Sequence, residues 1–95
     1  YNLTKAAVAG LVRSAAVELG KQGITVNGIA PGPLWRPEDF TVEEWQANLD
    51  KAPLKGKTDE DALRDVAAAV LFLLSSTTIT GHMLVVDRGI SLVSV

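Results

Sequence analysis

Cysteine is absent from the 95-residue sequence, and methionine, tyrosine and histidine each occur once. Without cysteine the chain can form neither a disulfide framework nor a thiolate metal site. The acidic run Asp59-Glu60-Asp61 offers no replacement, because consecutive side chains splay around the first turn of a helix. We therefore expect no bound metal. A chain without thiols is compatible with a reducing compartment, and we expect a cytoplasmic protein.

Long apolar runs and an excess of positive charge are also lacking. The longest apolar run, Val66 to Leu74, is far too short to cross a bilayer. A net charge of −2 and a pI of about 5.2 argue against a nucleic-acid-binding surface. We expect neither a membrane nor a nucleic acid among the partners of this chain.

None of the eight glycines belongs to a G-x-x-x-G-x-G or G-x-G-x-x-G turn. Such a turn cradles the pyrophosphate of a dinucleotide. In contrast, hydrophobic residues make up 47% of the sequence. Because a short chain buries a smaller fraction of its surface than a long one, this apolar excess favours contacts with partners outside the chain.

The first part of the sequence predicts a helix followed by a strand. Small and apolar residues at three- and four-residue steps, among them Leu3 and Leu11, predict a helix over 2–19 that Gly20 terminates. The apolar segment 24–30 is typical of a buried strand. Pro31-Gly32-Pro33 then prevents either element from continuing.

The second part of the sequence predicts two further helices and a strand. Thr41 and Glu44 fit a capping box for a short helix that ends near Leu49, and Thr58 caps a longer helix. The apolar stripe of that longer helix comprises Leu63, Val66, Ala67, Val70, Leu71 and Leu74. Met83 to Val86 is a second buried strand. Two short strands joined by a long helix pair in parallel, so the sequence predicts an α/β fold that is one half of a doubly wound parallel sheet.

Tyr1 and Lys5 are candidates for proton transfer. They lie four residues apart and so share one face of the predicted helix, one turn from each other. A nearby ammonium favours the phenolate, which makes the tyrosine a better proton donor and acceptor. On these residues alone, a solvated pair on a helix surface is the more common arrangement.

Four segments, taken in order, resemble the C-terminal part of a short-chain dehydrogenase/reductase. They are Tyr1-x-x-x-Lys5, Ile24 to Gly32, Asp65 to Ser75 and Ile79 to Gly89. The resemblance implies that residues 1–95 are the C-terminal fragment of one Rossmann-type domain whose N-terminal half is absent. The region after Pro33 and the ending Val86 to Leu92 are most similar to pteridine-reductase-like members.

The resemblance implies an NAD(P)(H)-dependent oxidoreductase that moves hydride between nicotinamide and a carbonyl, an alcohol or a pterin-type C=N bond. Tyr1 would be the proton donor or acceptor, and Lys5 would bind the nicotinamide ribose. The implied cofactor-binding residues are Tyr1, Lys5, Pro31, Gly32 and Leu34, with NADP slightly favoured over NAD. The implied substrate loop covers about 33–57, with Trp35, Phe40 and Trp45 as candidate pocket residues.

Two residues depart from the family pattern. Arg36 lies near a position that is often threonine, and Arg88 interrupts a tail that commonly reads Asp-Gly-Gly. The resemblance also implies a homo-oligomer, for which the small-residue face of helix 2–19 is suited. We expect the 95 residues alone neither to bind dinucleotide well nor to catalyse. The alternative is a non-catalytic half-domain that acts only through association.

Overall fold

A computed structural model describes residues 2–93. In chain order, these residues form α1 (Asn2–Gly20), β1 (Gly28–Pro31), α2 (Val42–Leu49), α3 (Asp59–Ser75), β2 (Met83–Val86) and α4 (Ile90–Val93). The α/β class and the order of the predicted elements are confirmed, whereas the short helix α4 was not predicted. Across this range, no helix has the length and apolar character needed to cross a membrane.

The two strands pair with each other and run in parallel. The Gly28 amide donates to the His82 carbonyl at 2.8 Å, and the Gly32 amide donates to the Val86 carbonyl at 3.0 Å. Both partners advance along the chain in the same direction, which defines a parallel pair. The predicted parallel arrangement is therefore confirmed.

The first strand begins later than the sequence indicates. Residues 24–27 are not part of the strand, and mainly side chains tie the end of this segment to residues 79–82. The Val26 amide donates to Thr80 Oγ1, and the Asn27 side chain both donates to the Ile79 carbonyl and accepts from the His82 amide. One backbone bond joins the same segments, from the Gly81 amide to the Val26 carbonyl at 2.8 Å.

Contacts divide the described residues into two compact units. One takes the chain up to Ile29 together with Ala69–Leu84, and the other takes Ala30–Ala68 together with the residues from Val85 onward. In the first unit, α1 approaches the sheet through small residues. A Cβ added to Gly28 would collide with the Met83 sulfur and lie 3.4 Å from Val12, so β1 has no room for a side chain there.

The covered face of α1 coincides only in part with the small-residue pattern of the sequence. Its covered positions recur with helical spacing and are Lys5, Ala9, Val12, Ala15, Ala16 and Leu19. Ala15 and Leu19 belong to that pattern, whereas its residues Leu3 and Leu11 are 84% and 69% exposed. Because α1 carries small or apolar residues on most of its sides, contact with the sheet selects the side that is covered.

The covered face of α3 includes one residue of the predicted stripe, Val66, and otherwise differs from it. Ala69 and Leu73 are buried and Ala62 and Val66 are half-buried, whereas the predicted stripe residues Leu63, Val70, Leu71 and Leu74 are exposed. The hydrophobic residues that the structure buries are therefore few and mostly small: Ala16, Ala52, Ala69 and Leu73. Within the described part of the chain, much apolar surface stays open to solvent.

The helix ends lie close to where the sequence predicts them. Gly20, the predicted terminator, is the last residue of α1, and a glycine in the left-handed conformation follows at Gly23, with φ 75°. Thr41 and Glu44 form the predicted capping box at α2. At α3, the Thr58 hydroxyl accepts from the Asp61 amide at 3.1 Å, and the Asp61 carboxylate accepts from the Thr58 amide at 2.9 Å.

Replacing either capping threonine should destabilise the protein. Thr41→Ala and Thr58→Ala each remove an acceptor from a helix N-terminus, and we expect each to lower the free energy of unfolding by about 1 kcal/mol. Urea denaturation of the full-length protein would measure the effect. Thr77→Ala, at an exposed loop position, is the matched control. Equal stability of all three variants would contradict the role of the caps.

Candidate active site

Lys5 lies on the covered face of α1. It is half-buried and falls on the same stripe as Ala9 and Val12. This placement differs from the solvated helix surface on which a tyrosine/lysine pair usually lies. Tyr1 lies outside the described residues, so the geometry of the predicted pair is limited to the position of Lys5.

The predicted cofactor turn leaves the sheet at the carboxyl end of β1. Pro31 ends the strand, and the next residue, Gly32, lies tightly against β2. A Cβ added to Gly32 would lie 2.7 Å from the Asp87 Cβ and 2.8 Å from its Cα. Glycine is therefore required here by the close approach of two backbone segments, whatever the turn binds.

Leu34 has a backbone donor without a partner. No residue within 2–93 accepts a hydrogen bond from its amide, and its side chain is half-buried. A backbone amide without a partner in the protein is left to water or to a ligand. The Leu34 amide can therefore serve a ligand that reaches the carboxyl end of β1.

A groove of about 240 Å³ opens at the carboxyl ends of both strands, within the second unit. Ligands of open parallel sheets bind at this end of the strands. Three basic and three acidic side chains line the groove beside apolar ones. The lining residues are Gly32, Pro33, Leu34, Leu54, Lys57, Asp61, Ala62, Arg64, Asp65, Val86, Asp87 and Arg88.

Asp87 holds the turn that follows β2. Its carboxylate is buried and accepts from the Gly89 amide at 2.9 Å and from the Ser91 amide at 3.1 Å. The first turn of α4 is thereby tied to the end of the strand. Asp87 acts as a brace for the tail and as one wall of the groove.

Arg88 adopts a conformation that is rare for a residue with a side chain. Its φ is 59°, and its side chain is only 10% exposed. Nη2 donates to the Thr58 carbonyl at 3.0 Å and to Asp59 Oδ1 at 3.1 Å. The sequence showed this residue only as a departure from the Asp-Gly-Gly pattern, and its contacts were not foreseen.

The candidate pocket aromatics separate into a pair and a single residue. Phe40 and Trp45 meet edge to face, with ring centroids 6.3 Å apart and an interplanar angle of 85°. Phe40 directly precedes the N-cap Thr41 and Trp45 lies in the next turn, which is the arrangement of a hydrophobic staple. Trp35 has no aromatic partner within 2–93 and is 71% exposed.

Arg36 has a structural partner in the same loop. Its Nη1 donates to the Phe40 carbonyl at 2.6 Å, so that a hydrogen bond links residues 36 and 40 in the loop before α2. The guanidinium thus braces the segment that carries Phe40. This contact gives a local reason for arginine at a position where the family often has threonine.

Comparison with known proteins identifies the chain. A family model described as enoyl-(acyl carrier protein) reductase matches residues 1–91. The chain belongs to this family of short-chain dehydrogenases/reductases. It is 40% identical to carbonyl reductase family member 4 of Xenopus laevis over 92 residues, which cover 97% of this chain and 37% of that protein.

Two further relatives agree with this assignment. The human (Homo sapiens) 3-oxoacyl-[acyl-carrier-protein] reductase is 39% identical over 93 residues, which cover 98% of this chain and 38% of that protein. The structure of FolM alternative dihydrofolate reductase 1 from Brucella canis, complexed with NADP, matches with a TM-score of 0.77 and 31% identity, covering 97% of this chain and 35% of that one. The chain spans a little over a third of the length of these relatives.

In this short-chain dehydrogenase/reductase chain, only some of the predicted site residues line the groove. Gly32 and Leu34 line the groove at the carboxyl ends of the strands, whereas Trp35, Phe40 and Trp45 are not among its lining residues. Lys5 belongs to the first unit. The residues that the sequence missed are Leu54, Lys57 and Arg88, which border the groove from the end of the predicted substrate loop and from the tail.

Gly32→Ala should destabilise this reductase chain. The added methyl group would overlap the Asp87 backbone, and we expect the free energy of unfolding to fall by about 1 to 3 kcal/mol. Gly20→Ala is the control, since a Cβ there meets nothing within 4 Å and we expect no loss of stability. Thermal denaturation would separate the two variants, and a neutral Gly32→Ala would contradict the close approach.

Asp61 should contribute stability that depends on pH. The hydrogen bond from the Thr58 amide, then that with the Thr58 side chain, and the charges of Arg64 and Lys57 hold the pKa of Asp61 below its ordinary value of 3.8. Because the folded-state pKa is lowered, this contribution is complete above that ordinary value and is lost as the pH falls through the folded-state pKa.

We therefore expect Asp61→Asn to lower the stability at neutral pH, by an amount that shrinks as the pH falls below 3.8. Urea denaturation at several pH values would measure this difference. Glu60→Gln, in the same exposed turn, is the control. A difference from wild type that stays constant down to the lowest pH would speak against an effect of the Asp61 charge.

Proposed function

We propose that these residues act as the C-terminal part of an NAD(P)(H)-dependent oxidoreductase, within one Rossmann-type domain whose substrate loop covers about 33–57. The observation that carries the proposal is the family match over residues 1–91, which includes Tyr1-x-x-x-Lys5 and the Pro31-Gly32 turn in one continuous stretch. The span of a little over a third of the relatives' length supports a larger whole protein.

The proposed reaction moves hydride between nicotinamide and a small organic substrate. The names of the carbonyl reductase and the 3-oxoacyl reductase support a carbonyl group as the reacting group. The name of the dihydrofolate reductase supports a pterin-type C=N bond, and its complex with NADP favours NADP over NAD. The groove at the carboxyl ends of the strands is where a parallel sheet binds such ligands.

In this proposal Tyr1 exchanges the proton. During reduction its phenol gives the proton to the substrate oxygen or nitrogen, and during oxidation the phenolate takes it back. The Lys5 ammonium, one helical turn away, favours the phenolate and donates to the nicotinamide ribose. The half-buried position of Lys5 supports this role, because partial exclusion of water strengthens its charge interactions.

The bound nicotinamide would supply or accept the hydride. Pro31, Gly32 and Leu34 would hold it, and the Leu34 amide is the donor that suits its carboxamide, since no residue within 2–93 uses that donor. Trp35, Phe40 and Trp45 would shape the substrate pocket. For Phe40 and Trp45 this role would be indirect, through the position of α2.

We also propose that the whole protein is a cytoplasmic homo-oligomer. The side of α1 that the sheet leaves open supports an interface between subunits. Its exposed residues are small or apolar: Ala6, Ala7, Gly10, Leu11 and Ser14. Such a surface allows two helices to approach each other closely.

Tyr1→Phe in the full-length protein should remove most of the turnover. The variant keeps the ring and loses the proton, so we expect kcat to fall about 10²- to 10⁴-fold. Oxidation of NADPH and of NADH would be followed by absorbance with a panel of carbonyl and pterin substrates. Lys5→Met should also lose activity, whereas Lys21→Met, at an exposed turn, is the matched control.

Retained turnover in Tyr1→Phe would take the tyrosine out of the proton-transfer step. A wild-type protein that neither turns over nor binds a nicotinamide nucleotide would favour the non-catalytic alternative, association alone. The exposed apolar side chains of α1 and α3 are the observation that keeps this alternative open.

A further inference from the structure

Arg88 is held in a conformation that its own backbone disfavours. It is the only residue other than glycine within 2–93 whose φ is positive, at 59°. The left-handed region is costly for residues with a Cβ and nearly free for glycine. Such a residue persists only where surrounding contacts outweigh the cost, so the side chain of Arg88 must make contacts that glycine could not.

Arg88 contacts one short segment at two points. Its backbone carbonyl, which any residue at 88 would supply, accepts from the Leu54 amide at 3.1 Å. Its guanidinium, which glycine lacks, donates to the Thr58 carbonyl and to the Asp59 carboxylate. Within the described chain, every hydrogen bond that residues 53–58 make beyond 49–62 involves Arg88. The segment is exposed and contains Gly56 at φ 74°, so it has little other support.

The Arg88 guanidinium is largely buried and pairs with Asp59. Its Nε is buried and has no hydrogen-bond partner among residues 2–93, while Asp59 is the only acidic group it pairs with there. A buried charge that loses its partner is strongly unfavourable, so Arg88 and the start of α3 are held together. Leu54 and Lys57, which belong to residues 53–58, line the groove together with Gly32 and Leu34.

We propose that Arg88 is a positioning residue that fixes the C-terminal end of the substrate loop against the exit of β2 and thereby sets substrate affinity. This inference rests on the proposed function, in which residues 33–57 form the substrate loop. Arg88 holds Leu54 and Lys57 in the groove wall, and it takes no part in proton transfer. Its loss should weaken substrate binding and leave the chemical step intact.

Hydrogen exchange in the full-length protein tests whether Arg88 holds the end of the substrate loop in place. Arg88→Gly removes the guanidinium and fits the backbone conformation without strain. We expect the Leu54 and Thr58 amides, the two within 54–58 that donate hydrogen bonds, to exchange about tenfold faster, while α1 keeps its protection, because the opening is local. Asp59→Asn should show a smaller effect in the same segment, and Arg13→Gln, on the exposed side of α1, should show none.

Steady-state kinetics test the functional part. In Arg88→Gly we expect KM for the organic substrate to rise about tenfold with kcat within about twofold of wild type. Ethylguanidinium added at low millimolar concentration should bind in the vacated space and lower KM towards the wild-type value. A role of Arg88 in stability alone would leave KM at the wild-type value.

Unchanged exchange at residues 54–58 in Arg88→Gly would overturn the proposal. So would a fall in kcat with unchanged KM, because it would place Arg88 in the chemical step. A wild-type protein without nicotinamide-dependent turnover would overturn the proposed function and with it the role in substrate affinity. The exchange result would then still decide whether Arg88 holds the segment.

Discussion

The hydrogen bond from the Gly32 amide to the Val86 carbonyl is the contact on which the second unit depends. It fixes the register of two parallel strands at their carboxyl ends, where the backbones come so close that no Cβ fits at Gly32. That register sets Leu34 and Arg88 on the same groove. It also places the Asp87 carboxylate where it accepts hydrogen bonds from the Gly89 and Ser91 amides at the start of α4. Loss of this contact would separate the two halves of the groove.

Several residues that the family resemblance assigns to function also have structural roles. Gly32 is required by the close approach to Asp87, and Phe40 and Trp45 form a staple beside the capping box of α2. A structural role explains the residue type without excluding contact with a ligand. The Leu34 amide differs from these residues, because it makes no hydrogen bond within the described chain.

The sequence predicted what local chemistry decides. Thr41 and Thr58 cap their helices through residues three positions away, and a strand at Met83 to Val86 follows from a short apolar run. The covered faces of α1 and α3 could not be predicted, because both helices are apolar on several sides and the sheet selects one. The role of Arg88 was equally hidden, since its guanidinium binds a carboxylate 29 positions away through a backbone angle that no pattern specifies.

The crowding at Gly28 and Gly32 has a consequence for how this chain can change over time. At Gly28 the obstacle is the end of the flexible Met83 side chain, so a shorter residue at 83 would make room for a larger one at 28. A larger residue at 28 can therefore be accepted once residue 83 has become shorter, so the two positions can change together. At Gly32 the obstacles are the Cβ of Asp87 at 2.7 Å and its Cα at 2.8 Å, and even glycine at 87 would keep the Cα. A substitution at 87 alone therefore cannot make room for a side chain at 32, and the two strands would have to move apart.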